Sequence, residues 1–150
     1  MSDFNAERQK IMPKAIAWAA AQSKFIMTHG IPLSATEMAD ARTVGVREPE
    51  KIRIGLVTHM PLPDDDELRA VAAAEGMLGP DTAGLTLGHG IFILRGHESR
   101  RLFTHEFRHV HQYERAGSME TFLLEYFHQL FTVGYWDAPL EMDARAHELA

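Results

Sequence analysis

Phe103, Phe107 and Val110 recur at the spacing of one face of an α-helix, while His105 and His109, four residues apart, recur on another. A segment written this way has to bury its apolar stripe and hold the two imidazoles on the opposite side, so it dictates where a core must form. Imidazoles one turn apart can grip a single metal ion, each ring nitrogen approaching zinc to about 2.0–2.1 Å. Glu106 lies roughly 100° around the helix from His105. There it does not ligate the same ion but is placed to take a proton from water that the ion activates. With nine His and 13 Glu in 150 residues, a shuffled chain would contain His-Glu-x-x-His about once in twenty.

The rest of the chain supplies the elements this helix needs to pack against. Residues from about Phe4 to His29 read as an amphipathic helix, with Ile11, Ala15, Trp18, Ala19, Gln22 and Ile26 at helical spacings. Pro13 predicts a break or a delayed start, and Gly30 and Pro32 stop the helix. Ser34, with Glu37 three residues later, forms a capping box for a short helix reaching Thr43. Lys51 to Thr58 begins with the alternation of a strand, and the acidic loop that follows caps a helix over Glu67 to Glu75. Leu85 to Leu94 reads as a second strand closed by Gly96. From Glu98 to Glu148 three helical pieces follow: one ending near Gly117, one from Ser118 to Val133, and one starting at Pro139, a favourable first-turn residue. No repeat or linker divides the chain, and its length buries about two-thirds of the unfolded surface in one core. The expectation is a single α+β domain, mostly helical with a small sheet.

Composition narrows the chemistry. Cysteine is absent, so any metal must be held by His, Asp or Glu. The net charge of −6 argues against a nucleic-acid partner. Arg100, Arg101, Arg108 and Arg115 form a local basic patch that reads as a solvated helix face. No run approaches the roughly 18 apolar residues of a membrane span, and no apolar segment of signal-peptide type follows the polar N-terminus. A cytoplasmic location without membrane association is the expectation.

A catalytic zinc wants three protein ligands and an open position. His111 points away from the other two histidines, and His97 could reach them only through a sharp turn. Glu125 and His128 share a face of the next helix, while Glu141 and Asp143 sit early in the last one. Ala144 is on the same face as Glu141, small enough to let two helices approach closely.

Glu141 followed three residues later by a small residue, downstream of His-Glu-x-x-His, is similar to the gluzincin arrangement of zinc metallopeptidases. The string His105-Glu-Phe-Arg-His-Val-His-Gln112 also resembles small bacterial zincin domains reading His-Glu-x-x-His-Val-x-Gln. The resemblance covers about residues 85 to 148. It implies a zincin-like active-site helix with His105, His109 and Glu141 as ligands of Zn2+ and Glu106 as general base. It also implies an edge strand before that helix, here within Leu85 to Leu94, holding an extended peptide or protein substrate. Asp143 is the alternative third ligand. The strand lacks the Asn-Ala pair with which gluzincins bind substrate, and the absence of cysteine excludes an ordinary peptide deformylase. Tyr135, just before the Glu141 helix, is the candidate to stabilise an oxyanion, with His128 as the other. The leading expectation is a zinc-dependent peptidase or amide hydrolase. The alternatives are a zinc-binding module without turnover, and a helical interaction domain in which the motif is accidental.

Overall fold

The computed structural model describes residues 2–150, with side chains described from residue 8 onward and at Ala6. Its elements are α1 (Ser2–His29), β1 (Ile31–Pro32), α2 (Ala35–Thr43), β2 (Arg53–Val57), α3 (Asp66–Ala74), β3 (Gly84–Leu87), β4 (Gly90–Leu94), α4 (Arg100–Ala116), α5 (Met119–Asp137) and α6 (Pro139–Ala146). The α+β expectation holds.

The sheet is small and mixed, ordered β1-β2-β4-β3. β2 and β4 run parallel, with Ile54 opposite Ile91, while β1 and β3 pair antiparallel on the outside. Because successive side chains on a strand point to opposite faces, β4 is apolar on both. Ile91 and Ile93 enter one core with Ile52, Val44, Phe107 and Val110, which joins the sheet to α2 and α4. Phe92 and Leu87 enter the other with Ile11, Ala15 and Phe122, which joins it to α1 and α5. The stripe of α4 is thus buried as its spacing requires, Phe107 and Val110 completely.

Several boundaries differ from expectation. The run Leu85 to Leu94 is a hairpin rather than one strand: Gly88, at φ +70°, turns the chain so that Leu87 pairs with Gly90. Glycine at the first central position of a two-residue loop matches the right-handed twist of the strands it joins. α1 passes through Pro13 without a break. Pro13 lies on the exposed side, where water can take the carbonyl that loses its partner. α5 continues past Val133 to Asp137, but Gly134 is non-helical at φ 84° and ψ 169°, which re-aims its last turn. The final helix stops at Ala146. The two-residue β1 lay within the segment expected only to end α1.

Among the described residues, no helix is long and apolar enough to cross a membrane.

Candidate metal centre

α4 starts at the Ser99 cap, whose hydroxyl accepts from the Leu102 amide, and presents His105, Glu106 and His109 away from the Ile91–Phe107 core. α6 is fastened across it. Arg108 donates two hydrogen bonds to the Asp143 carboxylate, at 2.8 and 3.2 Å. The Gln112 amide donates to the Leu140 carbonyl and to Asp143, both at 2.9 Å. Ala144, fully buried, lets the helices close up. This docking carries Glu141 over the two histidines.

His105, His109 and Glu141 form a group that could hold a metal ion, and all three are largely shielded from solvent, the His105 side chain being 12% exposed. His105 Nε2 is 3.2 Å from Glu141 Oε1, and His109 Nε2 is 3.2 Å from Oε2. Ligands about 2.05 Å from a tetrahedral ion sit roughly 3.4 Å from one another, so the spacing fits.

The hydrogen bonds at the far side of each ring decide what these nitrogens present. Gln112 uses its amide hydrogens on Leu140 and Asp143, so its Oε1 faces His109 Nδ1 at 2.8 Å and that nitrogen must carry the proton. His105 Nδ1 lies 2.8 Å from Glu148 Oε2, again an acceptor. In the neutral rings both Nε2 atoms are therefore lone pairs aimed at a carboxylate. That arrangement repels itself unless a cation, either protons or a metal ion, lies between. Nitrogen and oxygen donors of this kind suit zinc and other first-row divalent ions. Without metal, burial disfavours a charged His109, yet the adjoining Glu141 carboxylate outweighs it and raises its pKa from 6.5 to about 9. Burial likewise opposes ionisation of Glu141, but His109, His105 and the Tyr126 hydroxyl hold its carboxyl well below the usual range.

Glu106 takes no part in that cluster. Its carboxylate is buried against β3, where the Thr86 hydroxyl donates to Oε1 at 2.8 Å. A Cβ at Gly84 would lie 2.7 to 2.9 Å from the carboxylate, so only glycine lets it rest there. His105, His109, Glu106 and Glu141 all line one open cleft of about 690 Å³.

Tyr135 lines the same cleft, 38% exposed. Burial and the charges of Glu141 and Glu106 push its pKa up, so it stays a protonated donor. The other candidates are elsewhere. Asp143 is engaged by Arg108 and Gln112 and is not grouped with the histidines. His128 and Glu125 are exposed on α5 and do not line the cleft, His97 is exposed before α4, and His111 bonds the Gly45 carbonyl. Three residues at the centre were not anticipated: Tyr126, whose hydroxyl donates to Glu141 Oε2 at 2.6 Å, Glu148, and Thr86. Glu148 also takes a hydrogen bond from Arg101 and so holds His105 from an anchored position. Losing such an outer partner costs roughly 10- to 100-fold in metal affinity. Glu148→Ala should weaken divalent-metal binding by that factor in a competition titration against a chromophoric chelator, with the melting temperature of the metal-free chain little changed.

A second group, Glu48, His89 and Glu114, is also close enough to share an ion. There the Glu114 carboxylate already accepts the backbone amides of Arg47 and Glu48, which anchors that loop.

No family model matches the chain, and no curated protein or solved structure is significantly similar to it.

Proposed function

We propose that the chain is a zinc-dependent hydrolase of peptide or amide bonds, with His105, His109 and Glu141 holding Zn2+ and Glu106 as general base. The observation that carries this reading is the pair of Nε2 atoms, each 3.2 Å from a Glu141 oxygen, beside a carboxylate that stays out of the cluster, all on one open cleft. A purely structural zinc site would be closed by a fourth protein ligand; among the described residues the group has three.

Zinc held there supplies Lewis acidity toward a carbonyl and toward water. The protein's own groups do the rest. Glu106, steadied by Thr86 on Oε1, takes a proton from the attacking water as the oxygen bonds to the carbonyl carbon. Tyr135 donates a hydrogen bond to the oxygen on which negative charge develops. The C–N bond then breaks and Glu106 passes its proton to the departing nitrogen, leaving a carboxylic acid and an amine, between which the second water proton then moves to give carboxylate and ammonium.

The test is direct. Protein purified in zinc should contain one equivalent by elemental analysis and cleave a quenched fluorescent peptide library. 1,10-Phenanthroline should abolish cleavage, and added zinc should restore it. A chain that binds one zinc yet cleaves nothing would be the binding module instead, and one that binds none would end the metal reading.

A further inference from the structure

The cleft beside the metal centre is much larger than one amide group and one water require. At about 690 Å³ it is within the range of sites that enclose an entire small ligand. Besides the polar residues at the metal centre it is lined by Asp81 and Thr82, while another part is walled by Ile11, Ala15 and Trp18 of α1 and by Leu68, Val71 and Ala72 of α3. Ala15 and Ala72 are buried in these walls, and Trp18 offers a flat apolar surface.

β3 runs along another side. It is the last strand of the sheet, so nothing in the sheet pairs with its far side. The Leu94 amide donates to the Ala83 carbonyl at 2.8 Å. Antiparallel alternation then turns the backbone groups of Leu85 and Leu87 toward β4, and those of Gly84 and Thr86 toward the free edge. A hydrocarbon chain would fill the apolar walls but leave these groups without partners. An extended peptide satisfies them and sends alternate side chains toward the walls.

We propose that this cleft selects its substrates by apolar side chains, taking an extended peptide with bulky aliphatic or aromatic residues within a few positions of the bond to be broken. The proposal rests on the hydrolase reading of the metal centre for the position of that bond, but occupation of the cleft can be measured without turnover. The zinc-loaded Glu106→Gln protein, full length, is titrated with fluorescent hexapeptides of equal length that differ only in carrying Leu and Phe, Ser, Asp or Lys. The Leu and Phe peptides should bind at least about tenfold more tightly, since each well-placed apolar group in a pocket discriminates by roughly 10- to 200-fold. Val71 is half-buried in the wall, on α3, which carries none of the metal-centre residues. Adding Val71→Asp should erase the preference while zinc content and melting temperature match the parent.

Equal binding of the Ser, Asp or Lys peptides overturns the proposal, as does failure of any peptide to bind while a long-chain fatty acid does. A Val71→Asp protein that keeps its zinc and its preference also overturns it. If that variant does not fold, the peptide series on the parent still decides. The two readings fail separately. Wild-type protein that cleaves peptides regardless of apolar residues refutes the selectivity alone, whereas selective binding without cleavage refutes the hydrolase alone.

Discussion

Glu106→Gln should lower the turnover of a peptide substrate by about 10²- to 10⁴-fold, the usual contribution of a general base, while zinc content and affinity stay unchanged. The two outcomes belong together because the carboxylate touches neither His105, His109 nor Glu141 by a hydrogen bond, and rests instead on β3. Glutamine has the same shape and still accepts from the Thr86 hydroxyl at 2.8 Å, so the fold has no reason to rearrange. Only the capacity to hold a proton is lost. Parallel measurement of kcat and of zinc affinity checks this, and a large fall in affinity would mean that Glu106 is a ligand and not a base. Gly84→Ala should reproduce part of the effect by another route. A Cβ 2.7 Å from Oε2 must push the carboxylate off β3, and a displacement of that size lowers kcat without removing the base.

The features legible in the sequence were those set by local pattern. The stripe of Phe107 and Val110 opposite His105 and His109 specified a helix and its buried side, and the Ser34–Glu37 capping box formed as written. Glu141 could be singled out because Pro139 marks the start of its helix and Ala144 marks the contact face. The hairpin escaped because Leu85 to Leu94 is apolar almost throughout, and buried strands with two covered faces lose the alternation that would show a turn. Gly88-His89 was the available signal, being a glycine-first loop of two residues. Tyr126 is a phenol among the buried Phe122, Leu123 and Phe127 of α5, and a buried hydroxyl requires a partner, but nothing local says that the partner is Glu141. Glu148 and Thr86 depend wholly on distant segments meeting, the first from 43 residues away and the second from 20. Gln112 was visible as part of the motif string, but its role as the acceptor for His109 depends on α6 occupying its two amide hydrogens.

Removal of Glu141 should have the largest effect on the metal-free and metal-bound forms alike, and with different pH dependences. In the metal-free chain His109 has its pKa raised from 6.5 to about 9, chiefly by Glu141 against the opposing cost of burial. A raised pKa means stability that is fully present below 6.5 and is lost as pH climbs through about 9. The Glu141 carboxyl is held below its ordinary value, so its contribution is present above about 4.5 and is lost only in stronger acid. The metal-free protein should therefore be most stable between these limits, with a melting temperature that declines from pH 6.5 to 9. Zinc competes with the same imidazole proton, so its affinity should rise across that window and offset the decline, leaving the melting temperature of the loaded protein nearly level. Glu141→Ala removes both trends. At pH 6 it strands a buried imidazolium and leaves the Tyr126 hydroxyl without its acceptor, a loss of about 3–5 kcal/mol for breaking one side of a buried pair. At pH 8, still below about 9, only part of that stabilisation remains to be lost, and zinc affinity should fall by more than about a hundredfold, beyond what an outer partner alone costs. Melting curves with and without zinc at the two pH values separate these effects. A Glu141→Ala protein whose melting temperature still falls between pH 6.5 and 9, or which binds zinc as the parent does, would show that the carboxylate is not what holds the cation between the two rings.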